Sequence, residues 1–93
     1  MELKNKEIQN ALDKVIAIRN KRQETYGDRW EKDPIEYDVW MVYGKLQRAF
    51  YQIEHQPKNA YEKMEDSLID LINYALFALC KVYRGKNGKY KRY

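Results

Sequence analysis

Cysteine and histidine are almost absent from this chain, which has one of each in 93 residues. The single cysteine, Cys80, cannot form a disulfide within the chain, and His55 lies too far from it to complete a zinc-binding motif. A domain of this size buries only about 60% of the surface of its unfolded chain, so its core is marginal without a covalent or metal staple. Oligomerisation is the remaining source of stability, and we expect a homo-oligomer that is at least a dimer.

Long apolar runs are also missing. The longest, Leu76 to Cys80, is far shorter than the roughly 20 residues that a bilayer span needs. Residues 1–7 contain no apolar stretch of the kind found in secretory signals. The sequence therefore predicts a soluble protein with no membrane partner, in the reducing cytoplasm of a bacterial cell.

The net charge of +4 is concentrated at the end of the chain. Residues 84–93 hold five Lys or Arg and no acid, so thirteen bases face fourteen acids in the rest of the chain. Two interpretations of this basic segment are open. It is either a solvated terminus or an arm that binds a partner, which would be a host protein or the phosphate groups of a nucleic acid. The basic side chains of that arm would be Lys86, Lys89, Lys91 and Arg92.

Apolar residues recur at three- and four-residue steps in three segments, which predicts three amphipathic helices. These segments span about residues 3–25, 34–55 and 59–84. Gly27 is a C-cap for the first helix, Pro34 suits the first turn of the second, and Asn59 is an N-cap for the third. We predict an all-α fold in which residues 1–84 form one helical domain and residues 85–93 form a basic tail.

The second and third helices have clear apolar stripes. On the second helix the stripe comprises Ile35, Val39, Val42, Leu46, Phe50 and Ile53. On the third it comprises Met64, Leu68, Leu71, Ile72, Ala75, Leu79 and Val82, and further apolar residues make residues 68–80 apolar almost all round. A helix of this kind is buried on every side. Because three helices cannot surround one of their number, we expect a second side of helix 59–84 to meet another subunit.

An acidic stripe follows the start of the third helix. At 100° per residue, Glu62, Asp66, Asp70 and Asn73 fall within about 80° of one another. Stacked carboxylates repel each other, and Mg²⁺, which takes oxygen ligands, would relieve the repulsion. A second explanation is also open, in which Glu62 caps the helix, Asp66 interacts favourably with the helix dipole, and only Asp70 needs a partner.

The stretch from Glu62 to Ala75 resembles the signature helix of the nucleotide modification associated domain family, a phage-rich branch of the MazG-like, all-α nucleoside triphosphate pyrophosphohydrolases. Residues 26–30, YGDRW, resemble the Tyr-Gly-x-x-Trp loop of that family. Residues 45–48, KLQR, resemble its Lys-Leu-x-Arg element on the second helix. The three elements cover about residues 20–80 in the order that the family has them.

This resemblance implies a three-helix, MazG-like hairpin unit, completed by oligomerisation, that binds a (deoxy)nucleoside triphosphate with Mg²⁺ and hydrolyses it to release pyrophosphate. It assigns the metal to Glu62, Asp66 and Asp70, with Asp66 and Asp70 as catalytic residues. It assigns nucleotide contacts to Tyr26, Trp30, Lys45, Arg48 and Asn73.

One departure from the family pattern opens an alternative. MazG-like enzymes carry a second acid pair, Glu-x-x-Glu, on the preceding helix, and here that place reads Lys45-x-x-Arg48. The alternative prediction is a catalytically inactive, phage-type binding module on the same scaffold. Such a module would bind nucleic acid or a host factor, for example as an inhibitor of host defence.

Overall fold

The computed structural model describes residues 3–55 and 58–86, and α-helices hold most of them. The helices are α1 (Lys6–Tyr26), α2 (Ile35–His55) and α3 (Ala60–Lys86), and a short 3₁₀ helix (Arg29–Lys32) lies between α1 and α2. These two ranges contain no strand, so the all-α prediction is confirmed. Within the same ranges, no helix has the length and apolarity that crossing a bilayer requires.

The ends of α1 are set by its capping residues. The helix begins at Lys6 instead of near residue 3, because the Asn5 side chain accepts a hydrogen bond from the Ile8 N–H at 3.1 Å and so acts as the N-cap. At the other end, Gly27 has a φ of 59° and its N–H donates to the Gln23 carbonyl at 2.8 Å. Glycine adopts a positive φ at little steric cost, so the predicted glycine C-cap is confirmed.

The remaining boundaries lie close to the predicted ones. The Asn59 carbonyl accepts the Lys63 N–H at 3.2 Å at the start of α3. Residues 28–32, which lie between the first two predicted helices, contain the 3₁₀ helix, in which the Glu31 N–H donates to the Asp28 carbonyl. Lys86 belongs to the last turn of α3, whereas Lys89, Lys91 and Arg92 of the predicted basic arm lie outside the described residues. Nucleic-acid binding by that arm stays a prediction.

The contact between α2 and α3 is the main packing interface, and α1 packs against α3 over a smaller area. The α2–α3 interface is polar. Ser67 is buried and its Oγ donates to Oε1 of buried Gln52 at 3.1 Å. In the described part of the chain, the buried apolar side chains are Val15, Ala49 and Ile69. A single copy thus has a very small apolar core.

The predicted apolar stripes of α2 and α3 point largely away from this interface. Four exposed side chains come from each helix: Val39, Leu46, Phe50 and Ile53 from α2, and Leu68, Ile72, Leu79 and Val82 from α3. We call these eight residues the outer apolar face. At 100° per residue, the four α3 residues lie about 120–180° from Asp70, and the four α2 residues lie about 80–140° from Lys45. Polar side chains, and not these stripes, occupy the α2–α3 interface, and the expected contact of helix 59–84 with another subunit stays a prediction.

A buried ion pair joins the start of α2 to the end of α3. Lys81 Nζ donates to Asp38 Oδ2 at 2.5 Å, and both side chains are fully buried. Asp38 Oδ1 has no hydrogen-bond partner within residues 3–55 and 58–86. Burial raises the pKa of the Asp38 carboxyl, while the hydrogen bond and the positive charge of Lys81 oppose the rise. Removing either partner would leave an uncompensated charge in the interior.

Candidate functional site

A cleft of about 450 Å³ opens between α1, α2 and α3, and the segment that contains the 3₁₀ helix forms one of its walls. Basic side chains reach it from three directions. Arg19 and Arg22 come from α1, Arg29 from the 3₁₀ helix and Lys45 from α2. Such a concentration of positive charge in one concavity favours an anionic ligand.

Asp70 on α3 forms ion pairs with one residue of α1 and one residue of α2. Arg22 Nη2 lies 2.8 Å from Asp70 Oδ1, and Lys45 Nζ lies 3.2 Å from Asp70 Oδ2. Each carboxylate oxygen therefore has its own cation, one from α1 and one from α2. The charge of Asp70 is balanced within the chain.

Arg19 and Arg29 differ from these two cations, since neither forms an ion pair within the described ranges. The Arg19 guanidinium lies over the Phe77 ring, 5.0 Å from its centroid, which fixes its position in the cleft. Burial lowers the pKa of Arg19, and neighbouring Arg22 lowers it further, while Asp28 opposes the change. An anion in the cleft would offset both unfavourable effects on this guanidinium.

Trp30 is anchored to α3 through aromatic and cationic partners. Its ring stacks on Phe77 with a centroid distance of 4.9 Å and an interplanar angle of 8°. Lys81 Nζ and the Arg84 guanidinium lie over the same ring at 5.6 and 5.1 Å. Arg84 also pairs with Glu31 at 2.8 Å. Trp30 thus ties the 3₁₀ helix to α3, and its predicted stacking on a nucleotide base stays a prediction.

Three tyrosines complete the aromatic lining of the cleft. Tyr26 and Tyr37 are exposed, and Tyr37 meets Tyr74 edge to face at 6.2 Å. Burial raises the pKa of the Tyr74 hydroxyl, and nearby Tyr37 adds to the rise. The hydroxyl of Tyr74 therefore stays protonated at neutral pH. Tyr26 and Tyr37 are the most exposed aromatic side chains in the lining of the cleft.

Asn73 lies in the cleft wall, as predicted for a ligand-contacting residue. Its side chain is buried, and Nδ2 donates to the Ile69 carbonyl at 3.1 Å. Asn73 Oδ1 has no hydrogen-bond partner in the part of the chain that the structure describes. A buried acceptor without a donor is unfavourable. Because Oδ1 is itself buried, a ligand would reach it only if the side chain moved.

A second cavity, of about 470 Å³, lies on the other side of the Lys45–Asp70 pair. Arg48 and Asp66 line it together with that pair. The predicted site residues are therefore divided between two cavities. Tyr26, Trp30 and Asn73 line the cleft, Arg48 and Asp66 line the second cavity, and Lys45 and Asp70 line both.

The three acids predicted to hold Mg²⁺ do not converge. Glu62 and Asp66 are exposed, and Glu62 lines neither cavity. Residues 3–55 and 58–86 contain no group of three His, Cys, Asp or Glu that could hold a metal ion. Mg²⁺ requires near-octahedral oxygen ligands, and Asp70, the half-buried member of the three, already pairs with two cations. The described residues of one copy do not fit Mg²⁺, and the metal assignment stays a prediction.

Sequence reasoning missed the basic residues that precede and follow Tyr26. Arg19 and Arg22 are three residues apart, a spacing that places them on one side of a helix and was available as a signal. Arg29 occupies a variable position of the Tyr-Gly-x-x-Trp loop, where the family pattern gives no information. Phe77, assigned only to apolar packing, positions both Arg19 and Trp30.

Comparison with known proteins supports the family resemblance. The family model described as nucleotide modification associated domain 1 matches residues 22–82, about two thirds of the chain. No curated protein and no solved structure matches the chain significantly. The match spans the α1 C-terminus, the 3₁₀ helix, α2 and most of α3, which together supply the cleft residues from Arg22 onward. The chain therefore belongs to the nucleotide modification associated domain 1 family.

Proposed function

We propose that this protein binds a nucleotide in the cleft. The observation that carries the proposal is the convergence of four basic side chains and exposed aromatic rings on one cavity of about 450 Å³. That volume lies within the range of roughly 300–1,000 Å³ typical of small-molecule sites. The family match, to a domain associated with nucleotide modification, supports the same class of ligand.

The phosphate groups of the nucleotide would bind at the basic end of the cleft. Arginine guanidinium groups bind phosphate oxygens in a bidentate manner, and Arg19 and Arg29 have no competing ion pair among the described residues. Arg22 and Lys45 surround the same space, although Asp70 balances part of their charge. Positive charge in a partly buried cleft also raises the local concentration of an anionic ligand.

The base of the nucleotide would stack on a tyrosine. Tyr26 and Tyr37 line the cleft and have exposed rings. Stacking between a base and an aromatic side chain contributes about 1–3 kcal/mol and tolerates any base.

Mg²⁺-dependent hydrolysis of a (deoxy)nucleoside triphosphate, with release of pyrophosphate, is a separate and finer proposal. Its support is the MazG-like resemblance, together with the position of Asp66 and Asp70 beside Lys45 and Arg48 in the second cavity. Because the acids in the described part of one copy do not fit a magnesium site, nucleotide binding is the function that the geometry supports best.

The proposed functional unit contains at least two copies. Two adjacent helices present eight exposed apolar side chains, whereas the described part of one copy buries only three apolar residues. Monomeric proteins rarely expose so extensive an apolar surface. Apposition of the α2–α3 pairs of two copies would bury these residues in a four-helix arrangement, leaving the cleft on the opposite side accessible.

Isothermal titration calorimetry with a panel of mono-, di- and triphosphate nucleotides tests binding directly. Lys45→Ala should weaken the binding of every nucleotide that the unmodified protein binds by at least tenfold, because this substitution removes a cation from both cavities. Lys14→Ala is the matched control, because Lys14 is exposed and lines neither cavity. If no nucleotide binds at millimolar concentration, the proposal is wrong.

A pyrophosphate-release assay with Mg²⁺ tests hydrolysis separately. Asp70→Asn should abolish any turnover that the unmodified protein shows, because it removes one negative charge at constant side-chain size. Turnover that persists in this variant would place the reaction elsewhere in the protein.

A further inference from the structure

We infer that the ligand of the cleft is a nucleoside monophosphate, bound without a metal ion. This inference rests on the proposed function and names its ligand class. Two observations support it. The acids of the described residues do not form a magnesium site, and the charged side chains that line the cleft are mainly basic.

Asp70 is poorly placed to serve as a metal ligand. A cation on this carboxylate would lie beside Arg22, 2.8 Å from Oδ1, and Lys45, 3.2 Å from Oδ2, and both positive charges would repel it. No second and third acid converge on such a cation from residues 3–55 and 58–86. The arrangement thus stabilises Asp70 as an anchor for the two cations, and it leaves their remaining N–H groups to bind an anion.

The charge of the cleft matches a phosphate monoester. Four cations line it against two acids, Asp33 and Asp70, which gives a net charge of +2. A phosphate monoester carries about −1.5 to −2 charges at pH 7. A triphosphate without a metal ion carries more negative charge than the cleft balances, whereas a monophosphate is neutralised by the chain alone.

Two guanidinium groups are placed to receive that phosphate. Arg19 and Arg29 line the cleft and have no acidic partner in the described ranges. Arg19 is held over Phe77, and Arg29 is carried by the 3₁₀ helix that Trp30 fixes to α3. The Arg19 guanidinium and the helical segment that carries Arg29 are therefore positioned by aromatic contacts before any ligand arrives, which lowers the entropy cost of binding.

Calorimetry with the four deoxynucleoside monophosphates, in EDTA and in MgCl₂, tests this inference on the full chain. At least one monophosphate should bind with the same Kd under both conditions, and MgCl₂ alone should produce neither heat nor a thermal shift. Affinity should also fall as the pH drops below about 6, where the phosphate group takes up its second proton. Arg19→Ala and Arg29→Ala should each weaken binding at least tenfold.

Lys21→Ala is the matched control for Arg19→Ala, because Lys21 is an exposed cation of α1 that lines neither cavity. Circular dichroism of each variant checks that its helix content is unchanged. Monophosphate binding that requires Mg²⁺, or binding of magnesium triphosphates alone, would overturn the inference and leave the proposed function standing. Failure of every nucleotide to bind would instead overturn the proposed function.

Discussion

Shortening Leu79 to alanine should weaken self-association of the protein through the outer apolar face. Leu79 is 44% exposed in a single copy, and a second copy would cover that fraction. Leu→Ala at a fully buried position costs about 2–5 kcal/mol, so burial of this fraction corresponds to about 1–2 kcal/mol for each copy. A symmetric dimer contains the substitution twice. The expected loss is about 2–4 kcal/mol per dimer, or roughly 30- to 700-fold in the dimer Kd.

Analytical ultracentrifugation measures this effect directly. The unmodified protein should sediment at tens of micromolar with at least twice the 11.3 kDa of one chain, and Leu79→Ala should shift the concentration dependence toward the monomer. Ile16→Ala is the matched control, since Ile16 is 47% exposed but lies on α1, outside the outer apolar face. A stable, folded monomer of the unmodified protein would refute the reasoning. Equal effects of the two substitutions would show that the contact involves a different surface.

Three further predictions concern folding. Gly27→Ala should lower the free energy of unfolding by about 1–2 kcal/mol, because its φ of 59° strains any L side chain. Gly44→Ala should raise the free energy of unfolding by about 0.5–1 kcal/mol, because glycine inside α2 is less favourable than alanine. Urea denaturation measures both changes, and changes of the same sign would contradict the argument. Lys81→Met should cost about 3–5 kcal/mol by leaving Asp38 buried without its cation, and the double variant Lys81→Met/Asp38→Leu should recover most of that loss in the same assay. Carbon-13 NMR should show Asp38 titrating above its ordinary pKa of 3.8. A raised pKa means that folding favours the protonated form of the Asp38 carboxyl. The resulting stabilisation is fully present below pH 3.8 and is lost as the pH rises through the folded-state pKa. A titration midpoint at or below pH 3.8 would contradict the assigned effect of burial.

The helices themselves could be predicted from the sequence, because their signals are local. Gly27 and Asn59 act through their own backbone and their nearest neighbours, and the structure places helix ends beside both. Which side of each helix points into the interior of the chain could not be predicted in the same way. Val39 and Leu79 mark an apolar stripe, but hydrophobic periodicity does not say whether such a stripe meets the same chain or another copy. The Ser67–Gln52 hydrogen bond and the buried Lys81–Asp38 pair, which occupy the interior instead, depend on residues far apart in sequence.

The site was predictable to a similar extent. The family motifs identified Tyr26, Lys45 and Asn73, and all three line the cleft. Spacing on one helix also suggested that the acids act together, but a shared side of a helix does not bring side chains to one point. Asp70 turns toward Arg22 and Lys45, while Glu62 remains exposed two turns earlier. Ion pairs with α1 and α2 decide the role of Asp70, and these partners cannot be read from the sequence of α3.

The light attachment of α1 has a consequence for how the cleft works. Val15 is the one α1 residue that is buried in the described part of the chain, so of the three α-helices this one has the fewest buried contacts opposing its release by local unfolding. It also carries Arg19, Arg22 and Tyr26, so each release dismantles one wall of the cleft. The measured affinity for a ligand is then the intrinsic affinity reduced by the fraction of molecules in which α1 is docked. Ligand affinity and the protection of the α1 amides from hydrogen exchange consequently both report the equilibrium between docked and released α1.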